Sequence, residues 1–244
     1  MSPPDCVAVI PARFASTRFP GKPLALIAGR PMIAHVIDRA HAAKVFAAVW
    51  VATDDERIAA AARTAGAEPR LTRADHATGT ERVAEACAEL PADVLVLNVQ
   101  GDEPLVAPEL LRDLVQALRD DPDVDWVTAA HPSQDEAAYK SPHVVKALVD
   151  ARGDALYFSR SPVPYARDGS VRFLHHVGLY GYRCAALRRF IALAPGLLEQ
   201  REGLEQLRGL ENGMRIRVLI TAHETLGVDT PEDLKAVASR LGGA

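Results

Sequence analysis
The chain has 244 residues, 48% of them hydrophobic and 25% charged, which is the size and balance of one sizeable α/β domain able to bury a core. A formal net charge of −4, from 28 Lys+Arg against 32 Asp+Glu, argues against a nucleic-acid binder, which carries a basic excess. Three cysteines, Cys6, Cys87 and Cys184, with no C-x-x-C spacing, argue against a disulfide framework, so a reducing cytoplasm is the expected compartment.

In chain order, the apolar run over residues 6–10 predicts a buried first strand. It is too short for a signal core or a membrane span, and no basic segment stands ahead of it, so no membrane insertion is expected. A polar loop over 11–22 leads through Pro31 into a helix whose Ile33, Val36, Ile37 and Ala40 share one face. A strand over 45–53, a helix over 55–64 and a short strand over 68–72 follow. Thr78 and Glu81 have the spacing of a capping box before a helix carrying Val83, Ala86, Cys87 and Leu90. The run ADVLVLNV predicts the most buried strand, over 93–99, and Leu111, Leu114, Val115 and Leu118 line the next helix. Strands are expected over 126–130, 144–149, 155–158, 175–183 and 215–220, and helices over 202–211 and after Thr230. Within 175–183, His176, Gly178, Tyr180 and Tyr182 fall on one face and Val177 and Leu179 on the other. Strands alternating with helices over the first part of the chain predict a mostly parallel, Rossmann-like α/β sheet flanked by helices. The whole of 1–244 reads as one domain, with core segments near 1–124 and 184–244 and a smaller inserted mixed lobe near 125–183.

Ligands of such sheets bind beyond the carboxyl ends of the strands, which singles out four segments. RFASTRFPGK (13–22) holds Arg13, Arg18 and Lys22 among small residues, suited to a triphosphate or simply a solvated basic loop. Asp102 in QGDEP sits where a Mg²⁺ ligand would, or where an ordinary turn would place an aspartate. Asp229 in GVDTPED is either a second carboxylate ligand or a charge favourable to a helix N-terminus. TRADHATGTER (72–82) can grip a base and ribose, or be no more than a capped loop. Together, cations at one strand end and carboxylates at two others are the equipment of metal-assisted nucleotidyl transfer.

The stretches IPARFASTRFPGKPL, TRADHATGTER, NVQGDEP, ALYFSR, HVGLYGYR, LEQLR and GVDTPEDL, spread from the first strand to the last helix, make the chain closely resemble the 3-deoxy-manno-octulosonate cytidylyltransferases. The resemblance implies a nucleotidyltransferase fold and a Mg²⁺-dependent transfer of CMP from CTP to the anomeric hydroxyl of 3-deoxy-D-manno-octulosonate (Kdo), releasing pyrophosphate and feeding lipopolysaccharide synthesis. It assigns Arg13, Lys22, Asp102 and Asp229 to catalysis, with Arg13 and Lys22 on the triphosphate and Asp102 and Asp229 on the metal. Arg73, Thr80 and Arg82 are implied around the nucleotide, and Gln100, His176, Tyr180, Glu205 and Gln206 around the sugar acid. A homodimer built through the inserted lobe is also implied, and the apolar face of Val177 and Leu179 is compatible with it. The segment 161–175 is short for the family, at the sugar side of the lobe. Rival acceptors are sialic acid and 8-amino-Kdo; a rival of another class is a non-catalytic nucleotide binder, which would be expected to lose Lys22 or a metal carboxylate.

Overall fold
The computed structural model describes residues 4–15, 19–223 and 225–242. Arg18, one of the three loop cations, lies outside them. The opening apolar run forms β1 (Cys6–Pro11), and Cys6 to Ile10 are completely buried. A single 3-10 turn at Lys22–Leu24 and a two-residue hairpin, β2 (Leu26–Ile27) and β3 (Arg30–Pro31), lead into α1 (Met32–Ala43). Then come β4 (Ala48–Thr53), α2 (Glu56–Thr64), β5 (Glu68–Leu71), α3 (Gly79–Ala86), β6 (Leu95–Asn98) and α4 (Pro108–Asp120). Asp55 caps α2 through the Arg57 amide, and Thr78 and Glu81 form the expected capping box on α3.

The later chain forms β7 (Trp126–Ser133), α5 (Glu136–Lys140), β8 (Lys146–Val149), β9 (Ala155–Ser159) and β10 (Phe173–Arg183). It continues through α6 (Cys184–Ile191), α7 (Leu197–Glu202), α8 (Gln206–Glu211), β11 (Ile216–Ile220) and α9 (Pro231–Gly242). The sheet is nine-stranded, in the order β11-β7-β10-β6-β1-β4-β5, with β8 and β9 attached beside β10. β1 pairs in parallel with β4 and β6, β4 with β5, and β7 with β11. β10 runs antiparallel to both β6 and β7. It therefore joins the strands of the first half to the β7–β11 pair.

One face of the sheet packs on α1, α2 and α4, and the other on α3, α6 and α8. Two expectations need correction. The helix expected over 202–211 is two short helices, because Gly203 closes α7 in the left-handed region at φ 62°, and a new helix starts only at Gln206. Val177 and Leu179 are not an outward dimer face. They are 2% and 0% exposed in the core beneath α4. α4 and β7 approach β10 so closely at Gly181 that a Cβ there would lie 2.7 Å from Val127 Cγ2 and 3.0 Å from Leu118 Cδ1.

Candidate active site
β1, β4 and β6 are parallel, so their carboxyl ends open at one edge, and a cleft of about 260 Å³ lies there. Its floor depends on Gly101: a Cβ at that position would stand 2.9 Å from the Pro11 carbonyl. Only glycine lets the loop after β6 come this close to the end of β1. The basic loop after β1 is anchored at its base. The Phe14 carbonyl accepts from the Gly21 amide at 3.0 Å, and the Arg57 guanidinium covers the Phe14 ring at 3.6 Å. Gly21 turns the chain at φ 71° and delivers Lys22 into the cleft.

Lys22 joins three distant segments. Its Nζ donates to Asp102 Oδ2 at 2.7 Å and to the Val228 carbonyl at 2.8 Å, and lies 3.4 Å from Asp229 Oδ1. The side chain is only 15% exposed. Asp229 is not the cap of α9; Thr230 and Asp233 cap one another there, which leaves the Asp229 carboxylate facing Lys22. Val228 is held by its amide on the Asp102 carbonyl at 2.9 Å. Arg13 lines the same cleft and is exposed.

A third carboxyl group went unread in the sequence. Glu103 is pushed up to about 8 by burial, with the charges of Asp102 and Asp229 adding and Lys22 opposing, and its Oε2 has no hydrogen-bond partner. Its motif signal was ambiguous, because a Glu after Gly-Asp and before Pro looks like turn chemistry. Asp102 and Asp229 offer hard oxygen ligands on a shared centre of negative charge, the donor chemistry that suits Mg²⁺ bound partly through substrate phosphates. Among the described residues there is no cluster of three or more His, Cys, Asp or Glu that could hold a metal by itself.

The segment after β5 divides. Arg82 is 3% exposed, lines the cleft, and donates to Thr72 Oγ1 at 2.6 Å with Asp54 Oδ1 at 3.1 Å. Arg73 does not line the cleft. Its side chain is 69% exposed and pairs with Asp75 at 3.4 Å and Glu85 at 3.7 Å. His76, which the sequence left unassigned, lines the cleft and bonds Glu85 through Nε2. The Thr80 hydroxyl turns inward and donates to Glu205, whose carboxyl is raised, chiefly by burial. Gln100 lines the cleft, and Gln206 is 2% exposed. Of the acceptor-side candidates, Glu205 thus bonds Thr80, and its charge reaches Tyr180.

His176 is the most constrained of them. Its Nε2 lies 3.0 Å from Thr128 Oγ1, whose hydroxyl can donate to the Leu179 carbonyl at 2.8 Å, so Nε2–H is the donor to Thr128. The ring packs on Phe158 and Tyr180 at 4.9 and 5.6 Å between centroids. Burial pushes its pKa down from 6.5 to about 3, with His175 adding. The unfolded chain therefore binds the extra proton first, so this contribution to stability is complete above pH 6.5 and is lost as pH falls. At pH 5 the loss through His176 is about 2 kcal/mol. Urea unfolding at pH 7 and pH 5 should show it in the wild-type protein and not in His176→Gln.

The cytidylyltransferase family matches residues 7–216. The chain is 50% identical to the 3-deoxy-manno-octulosonate cytidylyltransferase of Pelobacter propionicus over 97% of each chain. It is 54% identical to that of an Anaeromyxobacter species over 96% of this chain and 95% of the relative. A solved structure of CMP:2-keto-3-deoxy-manno-octonic acid synthetase complexed with CTP superposes with a TM-score of 0.93 at 44% identity, covering 98% of both chains. A 4-diphosphocytidyl-2C-methyl-D-erythritol synthase from Anaerococcus prevotii, at 16% identity and a TM-score of 0.64, shares the fold. With its sheet-edge cleft, its Lys22–Asp102–Asp229 centre and relatives of this closeness, the chain belongs to the 3-deoxy-manno-octulosonate cytidylyltransferase family.

Proposed function
We propose that this chain transfers CMP from CTP to the anomeric hydroxyl of Kdo. The hydroxyl oxygen bonds to the α-phosphorus, the α–β phosphoanhydride bond breaks, and pyrophosphate leaves with the hydroxyl proton passing to solvent. The observation that carries the reading is the meeting of Lys22, Asp102 and Asp229, from three separate loops, on the floor of one cleft. In-line displacement builds negative charge on the α-phosphate and the leaving group, and needs fixed positive charge more than an enzyme nucleophile. Lys22 and Arg13 supply that charge from the loop after β1. Arg82, held by Thr72 and Asp54, orients the nucleotide with Thr80 on the same helix start, whereas Arg73 would have to leave Asp75 and Glu85 to reach it. Gln100, His176, Tyr180, Glu205 and Gln206 hold the acceptor.

Asp102 and Asp229 would hold Mg²⁺, which when bound neutralises phosphate charge and acidifies a coordinated hydroxyl. The reading includes a cytoplasmic location, with Cys6, Cys87 and Cys184 free and buried and no helix among the described residues long and apolar enough to cross a membrane. It also includes a homodimer built through the lobe near 125–183, where Leu156 and Tyr165 are exposed at 62% and 87%, and a place in lipopolysaccharide synthesis.

The test is pyrophosphate release with CTP and Mg²⁺, comparing Kdo, 8-amino-Kdo and N-acetylneuraminic acid, with and without EDTA. Release with CTP plus Kdo that EDTA abolishes is expected. Release with another acid alone replaces the acceptor, and no release with any acid overturns the reading.

A further inference from the structure
The loop between β5 and α3 forms one wall of the cleft, where His76, Ala77, Thr78 and Gly79 border it. Such a loop has no ladder of its own, so its polar groups need partners from elsewhere. α3 supplies them from three side chains. Arg82 donates to Thr72 Oγ1 at 2.6 Å. Glu81 Oε2 accepts from the Ala77 amide at 2.8 Å and the Thr78 amide at 3.4 Å. Glu85, one turn further on, accepts from the Arg73 amide at 3.3 and 3.2 Å on its two oxygens, and from the His76 ring.

The capping box accounts for Glu81. It does not account for Glu85, which lies beyond the first turn of α3 and reaches back 12 and 9 residues along the chain. A carboxylate only accepts, so His76 Nε2 carries the hydrogen that it donates to Glu85. His76 Nδ1 stands 3.9 Å from Glu81 Oε2, too far for a hydrogen bond, so the ring depends on Glu85 for its orientation. The ring is 6% exposed and borders two spaces. One is the cleft, and the other is a cavity of about 640 Å³ between α3 and α6, lined also by Arg73, Arg188 and Ile191. His76 therefore stands in the wall between them, with room behind it that packing does not fill.

We propose that Glu85 is a positioning residue for the nucleotide, holding the His76 ring and the Arg73 amide so that the loop between them meets CTP in one geometry. The proposal rests on the nucleotide reading above. Glu85 does not border the cleft itself. It acts through His76, which does, and a wall fixed before CTP arrives saves the ordering that binding would otherwise cost.

The test is CTP binding by titration calorimetry with Mg²⁺ present, with Kdo kinetics beside it. Glu85→Ala should raise the Kd for CTP about tenfold, the size of one lost hydrogen-bonded contact, and leave the KM for Kdo within about twofold. His76→Ala, which leaves α3 untouched, should raise the Kd for CTP as well. Glu85→Gln should recover most of the loss, since its amide oxygen can still accept from the His76 ring and the Arg73 amide. The double variant Glu85→Ala/His76→Ala should bind CTP no worse than the worse of the two single variants, because both remove one contact. An unchanged Kd for CTP, a loss shared equally with Kdo, additive losses in the double variant, or no recovery in Glu85→Gln would each overturn the proposal. So would tighter CTP binding in Glu85→Ala, which would mean that Glu85 holds Arg73 away from the nucleotide. Failure of the nucleotide reading looks different: the wild-type protein then binds no CTP, and the proposal falls with it.

Discussion

Lys22→Met should lower kcat about 10³-fold, the scale on which removal of one preorganised charge acts in a phosphoryl-type transition state. The ammonium is fixed by Asp102, Val228 and Asp229, so it needs no reorganisation when charge develops on the triphosphate. Its removal has a second consequence that separates it from a simple loss of contact. Asp102 and Asp229 are left facing one another beside the buried Glu103 carboxyl, with no cation between them. Both aspartates are partly exposed, at 33% and 54% for the side chains, which screens the repulsion and limits the cost to about 1 kcal/mol. For a chain of this length that corresponds to a melting temperature lower by about 2–4 °C. Millimolar Mg²⁺ should restore most of that stability, since a divalent cation can take the place between the carboxylates, yet it should not restore turnover. Calorimetry with and without Mg²⁺, alongside pyrophosphate release, checks both halves. Near-normal turnover would remove Lys22 from the phosphate chemistry, and a stability loss indifferent to Mg²⁺ would remove the metal from this centre.

The parts of the fold that follow from local pattern were legible. The buried run of β1, the 3.6-residue spacing of α1 and α4, and the Thr78–Glu81 capping box all rest on contacts within a few residues or on one-sided burial. What depended on distant partners was not. Val177 and Leu179 looked like a free strand face because nothing in their own segment says that α4 will cover them. Gly203 sat inside a helical pattern, and only its left-handed backbone divides that helix. In the site, Lys22 and Asp102 were readable because each follows a strand at the ligand edge. Glu103 was not, because its burial comes from a distant segment: a Cβ on Gly227 would stand 3.2 Å from Glu103 Oε1. Arg73 and Arg82 read alike in sequence, nine positions apart in one polar segment. They separate in space because Arg82 is on the first turn of α3, pointing back to Asp54, while Arg73 precedes it at the surface.

Asp102→Asn should reduce turnover at least as far as Lys22→Met, and do so in a protein whose stability gains as pH rises. The side chain keeps its shape, and the amide oxygen can still accept from Lys22 Nζ, now at 2.7 Å from Oδ2. What disappears is one negative charge. For catalysis that charge is the larger part of the proposed metal site, because with only two protein carboxylates available Mg²⁺ loses half of its anionic protein ligands. For stability the same charge acts both ways: it pairs with Lys22 at 2.7 Å, and it is the first neighbouring charge, after burial itself, that helps to raise Glu103. A folded-state pKa above the unfolded value is a penalty that grows as pH rises from about 4.5 toward 8. Neutralising Asp102 should therefore raise the melting temperature at pH 8 relative to that at pH 5, compared with the wild-type protein, while kcat falls about 10³-fold and half-saturation by Mg²⁺ moves to higher concentration. Opposite movement of stability and activity identifies a charge kept for chemistry. A correctly folded Asp102→Asn protein with near-normal kcat and unaltered Mg²⁺ dependence would sink the assignment of Asp102 to the metal.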